Sequence, residues 1–367
     1  MLKKFSVGNF KNFQTTATLD LSHPSNYEFN EDVIYHGCVT KAVVLGIHGS
    51  GKSNLGFALF DIIFHLTDKE KILMRYEPYL NMNSPKAFAE FEYEFEFFGK
   101  TLRYKYTKKS VFELVYESLS IDGEEVINYD FRENTGFTNL KGAETLNLIS
   151  STSKLSRVKY IKSAAILAED DKNRIFSAFM DYVDNMLMFY SLDYRGYQGF
   201  LLGRDRISDG IVRAGKTKDF EQFLRENGID YRLVEKENNG TTDLYCRFEK
   251  GDVLFSSIAS TGTSSLALFY YWYIKLQDVS LVYIDEFDAF YHFDLAKELL
   301  KLLKSLPKTQ VIVSSHNTDL FSNDLLRPDC YYQISKNKIK TLSELTDKDI
   351  RRAHNLQKMY KAGAFHE

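Results

Sequence analysis

The chain has 367 residues, of which 44% are apolar and 26% are charged. This length corresponds to two or three domains at roughly 150 residues each, and the composition is that of an ordered chain with a large core. The formal net charge of −3 excludes a basic field over the whole surface. The three cysteines form no paired motif, which argues against a zinc ribbon or a disulfide framework and favours a reducing compartment.

Nothing in the sequence predicts export or membrane insertion. The first residues carry charges but no apolar core of the kind that signal peptides have. The longest apolar run, 266–274, is far shorter than the ~20 residues that a membrane helix needs. We therefore expect a cytoplasmic protein with no membrane partner.

The first part of the chain predicts strands followed by a helix. Alternating apolar residues indicate strands around Phe5–Phe10 and Ala17–Leu21. The apolar run Ala42–Leu45 predicts a buried strand. The apolar residues of Asn54–Leu66 recur every three or four positions, which predicts a helix.

Residues 88–106 predict an antiparallel hairpin with one aromatic and one charged face. Phenylalanine and tyrosine alternate with four glutamates before a turn at Gly99–Lys100. That turn would place Phe95 opposite Tyr104. Basic residues across the hairpin favour a solvated, ion-paired face over a metal site for the glutamates.

Residues 126–245 predict an inserted, mainly helical lobe. Asn173–Leu187 has helical spacing and precedes a glycine-rich stretch, and a hairpin over Tyr231–Phe248 leads back to alternating helix and strand. We therefore expect a discontinuous core domain, 1–125 plus 246–367, with 126–245 as an inserted, partner-binding domain.

A glycine-rich segment between the first predicted buried strand and helix matches a phosphate-binding loop. Gly46-Ile-His-Gly-Ser-Gly-Lys-Ser53 fits G-x-x-x-x-G-K-[ST] at every fixed position. In this context backbone N–H groups surround phosphate oxygens, Lys52 neutralises the terminal phosphates and Ser53 ligates Mg²⁺. The candidate nucleotide-binding residues are Gly46, Gly49, Ser50, Gly51, Lys52, Ser53 and Asn54.

Two carboxylates follow the apolar strand Leu281–Ile284. With the phosphate loop upstream, Asp285 suits the Mg²⁺ side of the site, and Glu286 suits a general base that activates water. A solvated acidic cluster is the alternative, because Asp288 is close in sequence.

A second apolar strand, Val311–Ser315, ends at His316. A histidine at this position could contact the γ-phosphate, and the alternative is an ordinary surface histidine at a strand end. His292 leaves the same two interpretations open.

A polar turn, Ser260-Thr-Gly-Thr263, precedes an apolar helix predicted over Ser264–Leu276. Ser260 and Gly262 have two interpretations. They form a helix cap, or they form a loop that closes over a nucleotide bound by another subunit.

These motifs, in this order, resemble the ABC-type ATPase heads of the SMC, Rad50, RecF and OLD group. Val7–Phe13 is similar to the opening N-F-[RK]-x-F segment of that group. A narrower resemblance, to the AAA15 family of ATP-binding proteins, is carried by Gly51–Leu55, Asp285–His292, Ser315–Leu320 and Leu325–Asp329. The resemblance implies an α/β fold, namely a P-loop ABC-type ATPase head with an antiparallel β subdomain and an inserted mainly helical lobe.

The same resemblance implies ATP and Mg²⁺ as cofactors, with ATP bound between two heads. It assigns phosphate and Mg²⁺ binding to Lys52 and Ser53, support of the metal to Asp285, the general base to Glu286, the switch histidine to His316, and contact with the opposite protomer's γ-phosphate to Ser260 and Gly262. Two departures are His48, where such families commonly have asparagine, and the lack of a glutamine in 80–90, where a Q-loop is expected. The second departure predicts slow hydrolysis.

The resemblance implies an ATPase sensor subunit of a bacterial anti-phage system. Such a subunit forms a homodimer or larger oligomer and controls a separately encoded nuclease or toxin. The alternative is a RecF-like ATPase that acts in DNA repair. Basic residues within 193–218 and 336–361 leave nucleic-acid binding open beside a solvated or effector-docking surface.

Overall fold

The structure, a computed structural model, describes residues 1–69, 73–149, 154–190, 197–199, 207–238, 240–289, 291–335 and 337–365. The strands of this part are β1 (Leu2–Gly8), β2 (Ala17–Asp20), β3 (Ile34–Tyr35), β4 (Cys38–Val39), β5 (Lys41–Leu45), β6 (Ala89–Phe97), β7 (Lys100–Ser110), β8 (Glu113–Ile121), β9 (Glu124–Asp130), β10 (Thr135–Thr138), β11 (Met186–Tyr190), β12 (Tyr197–Gly199), β13 (Leu233–Asn238), β14 (Thr241–Phe248), β15 (Gly251–Leu254), β16 (Leu281–Asp285), β17 (Gln310–Ser315), β18 (Tyr331–Ser335) and β19 (Lys338–Thr341). The α-helices are α1 (Lys52–Leu59), α2 (Ile62–Leu66), α3 (Arg157–Ala164), α4 (Asp171–Asp184), α5 (Ile207–Arg213), α6 (Thr217–Glu226), α7 (Phe255–Ile258), α8 (Thr261–Tyr273), α9 (Phe293–Lys304) and α10 (Leu356–Lys361).

Two large sheets organise the chain. The first is antiparallel, with the strand order β10-β9-β8-β7-β6-β1-β2. The second has the order β12-β11-β16-β17-β5-β18-β19, in which β11 to β18 are parallel and the two edge strands run antiparallel. The predicted α/β class with an antiparallel β subdomain is therefore confirmed.

The antiparallel sheet follows the alternation of its sequence. In β6 the side chains of Phe91, Tyr93 and Phe95 are buried, while Phe97 and the four glutamates are half-buried. Arg103 forms ion pairs with Glu92 and Glu94, and Lys105 also pairs with Glu92. This confirms the ion-paired outer face.

The turn of the β6–β7 hairpin lies one residue earlier than predicted. Phe98 and Gly99 join the strands, with φ values of 55° and 75°. Two successive left-handed residues form a type I′ turn, whose twist matches that of the strands. Phe95 therefore pairs with Leu102, two residues from its predicted partner, and each side chain keeps its predicted face.

The helix after the phosphate loop differs from its prediction. One helix was expected over 54–66, but α1 begins at Lys52 and the helix breaks at Phe60 and Asp61 before α2. At the break the Tyr93 hydroxyl lies 3.1 Å from the carbonyl oxygen of Ala58 and the same distance from that of Leu59. A side chain from the antiparallel sheet thus supplies the donor that a continuing helix would have supplied.

Residues 126–245 differ from the expected helical lobe in two respects. They contain strands as well as helices, and β11 lies inside the central sheet, parallel to β16. The expected boundaries also fall within strands, because β9 spans residue 126 and β14 spans residue 246. The helix predicted over Asn173–Leu187 ends at Asp184, and its apolar continuation forms β11.

The two sheets share one core. Gln310, 1% exposed at the start of β17, accepts a hydrogen bond from the Leu2 amide and donates one to the Leu2 carbonyl. Tyr182 of α4 also donates to its side-chain oxygen, at 2.6 Å. A single buried amide thereby joins the central sheet, the antiparallel sheet and a helix.

Three further predictions concern a hairpin, the basic segments and membrane helices. The hairpin over Tyr231–Phe248 is confirmed by the pairing of β13 with β14. Arg195, Arg204 and Arg206 of the first basic segment, and Lys336 of the second, lie outside the described residues. Among the helices that are described, none is long and apolar enough to cross a bilayer.

Candidate functional site

The phosphate loop, residues 46–53, joins the end of β5 to the start of α1. Gly49 and Gly51 are left-handed, with φ values of 77° and 104°, a conformation that favours glycine. A Cβ atom on Gly46 would lie 2.4 Å from the Ser50 hydroxyl. The loop glycines are thus required by the backbone path around the site.

Lys52, the first residue of α1, is buried, and its side chain turns back to the loop. Its ammonium donates hydrogen bonds to the carbonyl oxygens of Gly46, at 2.8 Å, and Ile47, at 3.3 Å. Burial lowers the pKa of Lys52, while the carboxylates of Glu286, Asp285 and Asp288 act in the opposite direction. The three carboxylates therefore lie within electrostatic reach of the lysine that the loop provides.

The N-terminal Asn-Phe-Lys-Asn-Phe segment contacts the phosphate loop. The Asn54 amide donates to the Asn12 side-chain oxygen at 2.6 Å. A Cβ atom on Gly51 would lie 2.3 Å from the Asn12 side chain. Asn12 is thus packed against the start of α1, a role that its position in the sequence did not reveal.

The parallel strands bring the separate motifs to one edge of the central sheet. β5 and β16 flank β17, and their registers pair Leu45 with Ser315 and Ile284 with Val313. Ligand sites in parallel sheets lie beyond the carboxyl ends of the strands. The phosphate loop, the acidic pair and His316 leave these three ends, so the structure brings them together.

Asp285 and Glu286 are held by the neighbouring strand. Asp285 is 9% exposed and accepts a hydrogen bond from the Ser314 hydroxyl at 2.7 Å. The Glu286 amide donates to the same hydroxyl oxygen at 2.9 Å, and Glu286 has a left-handed φ of 44°. This backbone conformation is unusual for a residue with a side chain and is typical of functional sites.

His316 is exposed and packs against a second imidazole. The ring centroids of His316 and His48 lie 4.8 Å apart, with the planes tilted by 42°. His48 of the phosphate loop is therefore in contact with the candidate switch histidine. Neither motif alone predicted this contact.

The Ser-Thr-Gly-Thr turn is the first turn of α8, which begins three residues earlier than predicted. Ser260 is the N-cap, and its hydroxyl accepts a hydrogen bond from the Thr263 amide at 3.1 Å. Ser260 is exposed and Gly262 is half-buried. In the described part of the chain, no hydrogen bond joins this turn to the phosphate loop.

His292 precedes α9 and is largely exposed. Its ring packs on Phe293, with a centroid distance of 4.3 Å, and its Nδ1 lies 3.8 Å from an Asp294 carboxylate oxygen. These contacts are those of a surface histidine at a helix start.

The polar groups at this edge of the central sheet fit a nucleoside triphosphate with Mg²⁺. Two buried oxygens, Ser50 Oγ and Asp288 Oδ1, have no hydrogen-bond partner among the described residues, and both belong to the segments at this edge. Phosphate would meet the loop amides and Lys52, and oxygen ligands suitable for Mg²⁺ are offered by Ser53 and Asp285.

Residues 80–90, where a Q-loop was expected, lie beside the antiparallel sheet and not at this edge of the central sheet. Leu80 bridges to Phe10, and residues 89–97 form a strand of the antiparallel sheet. The strand that flanks Asp285 on its other side is β11, where Tyr190 pairs with Asp285. The residues that follow it, 191–196, lie outside the described part.

The fold and this strand-end arrangement define the class of P-loop ATPase domains. Residues 41–322 match the family described as "AAA domain, putative AbiEii toxin, Type IV TA system". The match spans more than half of the chain, and the protein belongs to this family. No curated protein matches the sequence.

Several solved structures are similar to the chain. An SMC head domain from Thermotoga maritima has 17% identity over 90% of this chain and 94% of its own, with a TM-score of 0.42. An SMC head bound to the C-winged helix domain of ScpA has 14% identity, 94% and 98% coverage and a TM-score of 0.48. The recombination mediator RecF has 12% identity, 93% and 98% coverage and a TM-score of 0.37. With TM-scores below 0.5, these likenesses support no further conclusion.

Proposed function

We propose that this chain is a Mg²⁺-dependent ATPase subunit of a bacterial anti-phage system. Two copies bind ATP between them, and the assembly controls a separately encoded nuclease or toxin. The ATPase is supported most directly by the placement of Lys52, Asp285 and Glu286 at one edge of the central sheet, beyond the carboxyl ends of its strands.

Each residue has a chemical task in this proposal. Lys52 binds the terminal phosphates, and Ser53 and Asp285 hold Mg²⁺, which supplies positive charge to the phosphates when bound. Glu286, half-buried just past its strand, orients a water and accepts its proton. His316, exposed beside the phosphate loop, contacts the γ-phosphate.

A second copy completes the site. Ser260 caps its own helix and is exposed, so the start of α8 is available to a nucleotide bound elsewhere. Helix N-termini attract phosphate through their free amides and their dipole. In the dimer, Ser260 and Gly262 of each copy contact the ATP held by the other.

The control of an effector rests on the family. Its description names a putative toxin of a type IV toxin–antitoxin system. That description favours a role in which nucleotide state releases or restrains a toxic activity. Action on DNA in the manner of RecF is the second function that the same site would serve, and the binding partners distinguish the two.

The head-to-head arrangement is tested with Glu286→Gln. This change keeps the side-chain shape and removes the base, so we expect ATP binding to persist and hydrolysis to fall by ~100-fold or more. The variant should accumulate as a dimer or larger assembly with Mg²⁺ and ATP, measured by light scattering. Lys52→Ala, which should stay unassembled, is the control, and a monomeric Glu286→Gln would refute the arrangement.

The partner is tested by affinity purification of tagged Glu286→Gln from the native host with ATP. Co-purification of a nuclease or toxin encoded beside this gene would support the defence role. Recombination or replication proteins without a toxin would favour the RecF-like function. The Lys52→Ala chain, purified in parallel, identifies partners that bind without ATP.

A further inference from the structure

One buried hydroxyl connects the two carboxylates of the site. Ser314 lies on β17, next to the strand that ends in Asp285, and is 0% exposed. Its hydroxyl donates to Asp285 Oδ1 at 2.7 Å and accepts from the Glu286 amide at 2.9 Å. The one donor and one acceptor site of this hydroxyl are thus directed at the two adjacent acidic residues.

The backbone of Ser314 fixes the same segment. Its carbonyl oxygen accepts a hydrogen bond from the Phe287 amide at 2.9 Å. Glu286, between the two bonded amides, is held at φ 44°, a conformation that costs free energy and persists only where surrounding contacts impose it. Ser314 provides contacts on both sides of that residue.

The strand that ends in Asp285 is also bonded to the residue that starts α1. The Tyr283 hydroxyl donates to the Lys52 carbonyl at 2.6 Å. Burial raises the pKa of Tyr283 well above its usual value, and Asp285 adds to this effect. Tyr283 thereby ties the strand that ends in Asp285 to the start of α1.

We propose that Ser314 is a positioning residue for ATP hydrolysis. Its hydroxyl orients the Asp285 carboxylate toward Mg²⁺, and its hydroxyl and carbonyl together hold Glu286 in the conformation that aims its side chain past the strand end. Ser314 also lies two residues before His316, so one strand end places the acid pair and the histidine. This inference rests on the proposed ATPase function.

Ser314→Ala removes the hydroxyl and keeps the strand. Residues that orient metal ligands affect metal affinity or activity by ~10–100-fold, so we expect kcat to fall by ~10–100-fold with little change in the affinity for ATP measured in EDTA. The Mg²⁺ concentration for half-maximal activity should rise, and so should the concentration of Mn²⁺ needed to bind beside ATP, measured by electron paramagnetic resonance. Ser314→Thr, which keeps a hydroxyl on a β-strand, should recover activity.

Ser280→Ala is the matched control. Its hydroxyl donates to the Tyr182 carbonyl just before β16, the strand that ends in Asp285, so it tests the loss of a serine hydroxyl away from the site. All variants are compared at equal folded fraction, measured by circular dichroism. If Ser314→Thr is unstable, the comparison of Ser314→Ala with Ser280→Ala tests the proposal.

The outcomes separate the two proposals. Wild-type kcat and Mn²⁺ affinity in Ser314→Ala would overturn the positioning role while leaving the ATPase intact. An equal loss in Ser280→Ala would also overturn it, since the effect would then not be specific to the hydroxyl beside Asp285. If the wild type binds Mg²⁺ and ATP but does not hydrolyse ATP, the proposed function fails, and Mn²⁺ affinity alone still tests the role of Ser314 in orienting Asp285.

Discussion

The antiparallel and central sheets differ in where they place polar side chains. In the antiparallel sheet, polar groups lie on the outer face or in a buried network between β7, β8 and the helices. In the central sheet, β5 and β16 are buried along their length, and the polar side chains lie at the strand ends, with Lys41 and Gln310 at amino ends and Asp285 and Ser314 at carboxyl ends. An antiparallel sheet with one solvated face can carry polar side chains along its strands. A parallel sheet covered on both faces carries them at its strand ends, where ligands bind beyond the carboxyl ends.

The buried network of the antiparallel sheet centres on Asp61, at the break between α1 and α2. Its carboxylate accepts hydrogen bonds from Lys108 at 2.7 Å, Tyr106 at 3.1 Å and Tyr79 at 2.9 Å. Asp61 and Lys108 are both 0% exposed. This ion pair ties the helix that follows the phosphate loop to the sheet, away from the strand ends.

The comparison implies that the two regions fail differently when altered. Changes in the network should lower stability and leave nucleotide chemistry intact in the folded fraction. Changes at the central strand ends should do the reverse.

The largest expected effect is that of Lys108→Met. It leaves the Asp61 carboxylate buried without its cation, and breaking a buried ion pair in this way costs ~3–5 kcal/mol of the free energy of unfolding. Urea denaturation measures the loss. The double variant Asp61→Asn/Lys108→Met, which keeps an acceptor for the tyrosines, should recover part of it, and a loss under ~1 kcal/mol in the single variant would contradict the comparison.

Lys52→Ala should have the opposite profile. Charge-assisted hydrogen bonds worth ~3 kcal/mol correspond to a ~100-fold weaker affinity for ATP, measured by titration calorimetry. The free energy of unfolding without ATP should change little. Retention of wild-type affinity would remove the phosphate-loop assignment.

Gly56→Ala tests the contact between α1 and the central sheet. Its Cβ would lie 2.7 Å from side-chain atoms of Met188 and Tyr283, so overpacking should cost ~1–3 kcal/mol despite the better helix propensity of alanine. Thermal unfolding measures the change. A stabilised variant would show that β11 and β16 do not pack closely on α1.

The smallest expected effect is that of Ser260→Ala, which removes a helix cap worth ~1 kcal/mol. Ser260→Asp separates capping from ATP contact, because aspartate caps well but places a negative charge near the partner's γ-phosphate. We expect unchanged stability with lost hydrolysis in Ser260→Asp, measured by melting and phosphate release. Wild-type hydrolysis in that variant would show that Ser260 only caps its own helix and does not contact the partner's ATP.

The sequence predicted the local motifs of the candidate site more closely than the bounds and order of the helices and strands. The phosphate loop and the strands before Asp285 and His316 depend on short patterns of glycine, apolar and charged residues, and these are local. The break at Asp61 and the strand β11 were not predicted, because each depends on partners distant in the chain. The turn at Phe98 was placed one residue too late, because two neighbouring two-residue loops fit the same alternation.

The sequence by itself determined the phosphate loop, the order of the motifs and the alternation that buries one face of the antiparallel sheet, because a loop or strand of a few residues needs only its own composition. The tertiary structure alone decided that Ser314 bonds to Asp285 and Glu286, that His48 touches His316 and that Gln310 joins the two sheets. Strand order and register bring residues together that are far apart in the chain, and no local pattern specifies that pairing.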